Sequence, residues 1–372
     1  MSRNEDTIYA LALSAIPGIG VIGAKQMYEA AGSATLIYEY RHHLHDLLPD
    51  AGSRMQEAVG HFDTYLDGAR REMDYVAEKG LDAYTLGDER YPARMRECAD
   101  APLVLFACGH MNLNTRHVVS MVGSRRCTAY GRDMCRAIIH DLHQLVPDLL
   151  VVSGLAYGVD INAHRAALAD DVPTVAVLAH GLDRIYPAVH RSTAAQMLKQ
   201  GGLLTEYTSG TTPERMNFVR RNRIVAGMAD ATIVVESGEK GGSLITASIA
   251  QSYGRDVFAV PGRVGDEMSL GCNNLIMRQE AQMMLTAQDL AVAMNWSTPP
   301  TTREVEPRLF VDLTDDEQRI VDILCNDEST QINTIISRTG MSYSTIINQL
   351  YELEQKGVVE LLGGARYRLV AR

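Results

Sequence analysis

The chain has 372 residues, is 46% hydrophobic and 22% charged, and carries a formal net charge of −11. That length can bury more than one core, and the composition is that of an ordinary globular protein rather than a disordered or fibrous one. No apolar run is long enough for a membrane helix, and the six scattered cysteines form neither a C-x-x-C pair nor a disulfide framework, so no membrane, metal or disulfide role is expected.

The opening M-S-R-N-E-D-T lacks the apolar core of a signal peptide, and a cytoplasmic location is expected. Residues 1–80 read as short helices forming an N-terminal domain. They contain Gly18-x-Gly20-x-x-Gly23, spelled like a dinucleotide fingerprint. No strand precedes it, and Pro17 sits where a strand would end, so the stretch reads instead as the hairpin of a SAM or helix-hairpin-helix unit. Lys25 is the nearby cation, and a packing role is favoured over a phosphate contact.

A middle domain is expected over 81–295, with 81–115 an extended lead-in carrying a short strand. Apolar strand candidates follow at 118–122, 149–153, 174–178, 203–206, 232–236, 257–260 and 283–286, with helical segments between most of them. That alternation predicts an α/β domain with a mostly parallel sheet, whose ligand crevice lies where the loops after the strands converge. At 118–126 the run V-V-S-M-V-G-S-R-R ends a buried strand in a tight turn before a helix. Gly123 and Ser124 then predict backbone donors for an anion, and Arg125 a planar fork for its oxygens.

Charge supports a polyanion site in this domain. Residues 1–80 hold 7 basic and 12 acidic side chains, 311–372 hold 6 and 10, and 81–295 hold 20 and 22. The basic residues of the middle domain are bunched: Arg116, Arg125, Arg126, Arg132 and Arg136 face Asp133 alone, and Arg215, Arg220, Arg221 and Arg223 face Glu214 alone.

A Pro/Thr-rich linker is expected at 296–310. Amphipathic helices at 313–325, 330–339 and 342–356 and a hairpin at 358–362 and 366–370 then predict a winged helix over 311–372. Its third helix would enter a DNA groove in a duplex-binding version, with Arg366 and Arg368 on the wing. The domain sums to −4 (6 basic against 10 acidic), which favours a protein-interaction module over a duplex reader.

The ordered motifs of the middle domain resemble the DNA-processing protein A family (DprA, also called Smf). They run V-G-S-R from Val122, S-G-L-A-Y-G-V-D from Ser153 with Ala163-His164, G-L-D-R-I-Y-P from Gly181 and T-E-Y from Thr205. Then come N-F-V-R-R-N-R-I-V-A-G from Asn217, V-V-E from Val234, G-G-S-L-I-T-A from Gly241, G-R-D-V-F-A-V-P-G from Gly254 and G-C-N-N-L-I from Gly271. The flanking helical and winged-helix units also match. Val219 replaces the family's usual proline after the phenylalanine, and His180, His190 and Glu280 are further departures.

The resemblance implies an extended Rossmann-like fold and a homodimer without catalytic activity or cofactor. It also implies sequence-independent binding of single-stranded DNA and loading of RecA recombinase onto it during natural transformation. Its pattern places cations at Arg215 and Lys240. Gly242 and Ser243 would add donors at a helix start, and Phe218 is the candidate base-stacking residue. Arg221 and Asn222 are assigned to the strand as well, while Arg223 is left between phosphate and a pairing with Glu206 or Asp160. Asp160 and His164, four apart on one helix, read as a cap and a satisfied histidine rather than an acid/base pair. The rival reading is a nucleotide-processing hydrolase of the lysine-decarboxylase-like class, though its P-G-G-x-G-T-x-x-E loop has no counterpart in E-S-G-E-K-G-G-S-L-I-T-A.

Overall fold

A computed structural model describes residues 3–296 and 313–370, apart from 326 and 328. The linker expected at 296–310 lies outside them except for Trp296. Among the described residues, the strands of the main sheet are β1 (Asp82–Thr85), β2 (Val104–Gly109), β3 (His117–Val122), β4 (Leu149–Ser153), β5 (Thr174–Val177), β6 (Gly202–Thr205), β7 (Ala231–Val234), β8 (Asp256–Ala259) and β9 (Gln282–Met283). Their order is β1-β2-β6-β5-β4-β3-β7-β8-β9. The pairs from β6 through β9 are all parallel, and β2 and β1 add on antiparallel.

This is a mostly parallel α/β sheet wound in two directions from β3. The chain steps outward through β4, β5 and β6, then returns to lay β7 on the other side of β3 and continues through β8 and β9. The loops after β3 and β7 therefore leave the carboxyl edge on opposite sides of the switch point, where such sheets bind ligands. Strands β3, β4, β5, β6 and β7 are buried at every position, as strands covered on both faces must be.

Two expectations change. The lead-in at 81–115 is no connector: β1 and β2 pair with each other and extend the sheet beyond β6, because L-V-L-F-A alternates between two covered faces. The N-terminal helices, from Arg3–Ala15 to Asp63–Lys79, share one continuous apolar core with the sheet, from Ala10 and Phe62 through Tyr91 and Phe106 to Val152 and Leu275. Their Gly-rich turn lies between the helices Arg3–Ala15 and Gly20–Ala31, with Gly18 and Gly20 at positive φ. Lys25 is buried and donates to Cys98 O (3.0 Å), which gives it a packing role.

At the carboxyl terminus, helices Asp315–Leu324, Ile332–Thr339 and Tyr343–Gln355 join a small sheet of β10 (Thr330–Gln331), β11 (Val359–Leu362) and β12 (Arg366–Leu369), in the order β10-β12-β11. This is a winged helix with its own core around Ile320, Ile335, Ile346 and Leu350.

Candidate nucleic-acid interface

The turn after β3 is set by how closely three loops approach. A side chain at Gly123 would overlap Val159 and the Glu236 carbonyl, and Gly158, at φ +79, lies against the Ser124 carbonyl. Ser124 donates its amide to Glu236 O (2.6 Å) and accepts the Val159 amide (3.1 Å), while its hydroxyl accepts the Arg126 amide (3.0 Å). Of the donors expected at Gly123 and Ser124, one is therefore engaged within the fold. These residues lock the loop, and the Ser124 amide is already used.

The following helix, Ala129–Leu145, also carries its own anion. The buried Glu236 carboxylate accepts the Thr128 amide (2.8 Å) and hydroxyl (2.5 Å), and Gly131 leaves it room. A carboxylate thus holds the positive end of the helix, where a nucleotide phosphate sits in many dinucleotide-binding folds.

Arg125 stays outside this network. It is exposed, and its guanidinium lies over the Phe218 ring, 5.2 Å from the centroid. Phe218 is half-buried on the helix Arg215–Gly227, which begins just beyond the carboxyl end of β6. Exposed Arg215 stands three positions earlier and so on the same helix face. Tyr186, 46% exposed, approaches Phe218 at 5.8 Å with the rings tilted by 58°. Exposed Lys240 lies in the loop after β7, and Met268 bridges this loop to the Arg125 turn by accepting the Ser124 hydroxyl on sulfur (3.2 Å) and the Ser237 amide on its carbonyl (2.8 Å). Arg125, Arg215, Phe218 and Lys240 thus share the carboxyl edge of the sheet.

Arg221, Arg223 and Ser243 are engaged within the fold. Arg221 is 3% exposed, donates to the carbonyls of Gly154 (2.7 Å) and Val177, and sits in the field of buried Asp160. It ties the end of β5 to the loop after β4 and cannot reach a phosphate from there. Arg223 is paired with Glu206 and donates to Asp100 O (2.8 Å), which resolves its earlier ambiguity towards structure. Asn222 is half-buried between these two arginines. Ser243 is buried and donates its hydroxyl to Ser237 Oγ (2.9 Å), so that donor is spent internally. Gly242, by contrast, opens the helix Gly242–Ser252 into free space.

Asp160 and His164 do not form an acid/base pair. Asp160 Oδ2 accepts the Ala156 amide (3.3 Å), and burial pushes its carboxyl up against the opposing pull of Arg221. His164 meets Thr174 Oγ1 through Nδ1 (2.7 Å). The exposed rings Tyr157 and Tyr186 were not assigned from sequence. Both stand in quoted glycine-rich motifs just after strands, and that placement was the available signal.

Comparison with known proteins follows the same division of the chain. Residues 82–295 match the family model described as DNA recombination-mediator protein A, and residues 304–365 match the DprA winged helix domain. A putative DNA processing protein DprA of Mycobacterium tuberculosis is 35% identical over 324 residues, covering 82% of each chain. The DNA processing protein DprA of Streptococcus pneumoniae is 38% identical over 208 residues, 56% of this chain and 72% of that one. An X-ray structure of DprA from the same species superposes with a TM-score of 0.63 at 31% identity, covering 79% of this chain and 98% of the other. A structure described as giving the single-stranded DNA binding mode of DNA processing protein A from Helicobacter pylori superposes with a TM-score of 0.52 at 28% identity, covering 58% and 95%. Sheet, winged helix and sequence identity agree, and the chain belongs to the DNA processing protein A (DprA/Smf) family.

Proposed function

We propose that the carboxyl edge of the sheet grips single-stranded DNA without regard to sequence, and that the protein, as a cytoplasmic homodimer, passes the strand to RecA recombinase during DNA uptake. One observation carries the first part: exposed Arg125 lies over the Phe218 ring, with Arg215 on the same helix face. A cation for the backbone beside a flat ring for a base is the pairing that holds an unpaired strand, because every base has a stacking face. Lys240 extends the positive track across the switch point. The described binding mode of the Helicobacter pylori relative supports the ligand, and the family's description as a recombination mediator supports the transfer step. The internal carboxylate at the helix start after β3 favours this reading over a nucleotide hydrolase, since Glu236 takes the place of a substrate phosphate.

Fluorescence anisotropy with labelled oligothymidine and a duplex of equal length tests it. Oligothymidine binds more tightly, and Arg125→Ala weakens it for any sequence. The slope of log K against log salt falls by about 0.7, the share of one phosphate contact on a single strand. A slope equal to the wild type would remove Arg125 from the interface, and a preference for duplex would overturn the reading.

A further inference from the structure

We propose that Tyr186 is a second base platform beside Phe218, and that the strand runs from Phe218 across the loops after β5 and β4 towards Tyr157. This rests on the reading of the carboxyl edge as a single-strand interface and adds a direction and a further contact to it. The Tyr186 ring stands in the loop between β5 and β6, 46% exposed, with its centroid 5.8 Å from that of Phe218 and its plane tilted by 58°. Arg125 covers Phe218 from the neighbouring loop. The three side chains form a contiguous rank from three separate segments: a cation, a ring and a second ring. Successive bases of an unpaired strand stack on successive aromatic side chains, and these two neighbouring rings offer two such surfaces.

A further exposed ring stands on the loop after β4. Four residues after Tyr186, buried His190 hydrogen-bonds Leu155 O through Nδ1 (2.8 Å) and carries the Tyr157 ring edge-on at 5.1 Å. Tyr157 is itself 49% exposed. Solvent-exposed tyrosine rings at two consecutive loops of one sheet edge, beside a cation–aromatic pair, mark the side on which an incoming strand gains contacts. Arg221 holds this platform from below, since its guanidinium joins the carbonyl of Gly154 to that of Val177.

The test uses the full chain and two probes, oligothymidine and an abasic oligonucleotide of equal length. Tyr186→Ala and Tyr186→Leu weaken oligothymidine binding about tenfold, while Tyr186→Phe, which keeps the ring, restores most of it. The abasic probe, which offers a backbone without bases, binds wild type and Tyr186→Ala alike. If Phe218→Ala and Arg125→Ala lose affinity but both Tyr186→Ala and Tyr186→Leu bind like the wild type, the second platform is wrong and the single-strand reading stands. Equal losses on both probes would make Tyr186 a structural support and overturn the proposal. If no variant loses affinity, Phe218→Ala and Arg125→Ala included, the interface itself is misplaced and the proposal falls with it.

Discussion

Arg220 and Arg221 are neighbours in sequence, yet one is exposed and the other is among the most buried charges of the protein. The difference is helical rotation: Arg221 lies on the stripe of Ile224 and Val225, both buried, and Arg220 does not. A guanidinium placed inside needs carbonyls and a carboxylate around it, and Gly154, Val177 and Asp160 supply them. His164 belongs to the same buried group, and burial first, then Arg221 and His190, holds its pKa at about 3. The folded ring therefore stays neutral where the unfolded ring, with a pKa near 6.5, takes up a proton. Stability is unaffected by this residue above pH 6.5 and falls as the pH drops from there towards 3, by up to about 1.4 kcal/mol per pH unit. Asp160, raised by burial, works in the opposite sense, so the test is a difference between two proteins. Between pH 7 and pH 4.5 the wild type should lose about 2 kcal/mol more than His164→Gln in urea unfolding. Parallel losses would mean that His164 is already charged in the folded state.

At the scale of elements, the parallel strands were legible because burial on both faces demands continuous apolar runs. All seven were located, to within one or two residues for the first six, although the last is shortened to Gln282–Met283. The pairing of β1 and β2 was not legible: their residues alternate plausibly either as a loose connector or as edge strands, and contact with β6 decides it. The site divides in the same way. Arg125, at the end of a buried strand's turn, could be found from its charge and position, and Arg215 and Lys240, likewise exposed, could be found from the family resemblance. Residues whose donors are consumed by other loops, Ser124, Arg221 and Ser243, could not, because partners such as Glu236, Gly154 and Ser237 are distant in sequence or hidden by the turn. Arg221 was the exception with a signal, its spacing to Ile224 and Val225. Glu236 shows what such a partner is worth. It closes the start of the helix Ala129–Leu145 with two charge-assisted hydrogen bonds, each of which contributes about 1.5–3 kcal/mol. Glu236→Ala should lower unfolding free energy by about 3 kcal/mol. Sulfate should then raise its melting temperature more than that of the wild type, by entering the vacated helix end. Equal responses to sulfate would show that the helix start offers no anion site even when emptied.

Across the whole molecule, the winged helix and the candidate interface occupy opposite edges of the sheet. The winged helix docks near the starts of the strands. Gly364 donates its amide to Asp256 Oδ2 (2.8 Å), and Arg366 donates through Nη1 to Glu97 Oε1 (2.5 Å) and through Nε and Nη2 to Ser329. Gly363 lies against the Met294 side chain, which would have to shift to admit a side chain there. Arg368 is paired with Glu360 on the adjacent strand. Both wing cations that a duplex reader would need are therefore engaged, which favours the wing as an interdomain contact. Glu97 also holds the buried Arg255 at 2.9 Å, so its removal would strand a second charge, and Arg366 is the cleaner probe. Arg366→Ala should raise hydrogen exchange of the Gly364 amide at least about tenfold, since about 1.4 kcal/mol of local stability corresponds to that factor. Oligothymidine affinity should stay at the wild-type value, because the rank of Arg125, Phe218 and Tyr186 stands at the far edge. Unchanged exchange at Gly364 would assign the docking to the apolar seat on Met294. A fall in single-strand affinity would mean instead that the two edges are coupled through the sheet, and that the winged helix acts on the strand from below.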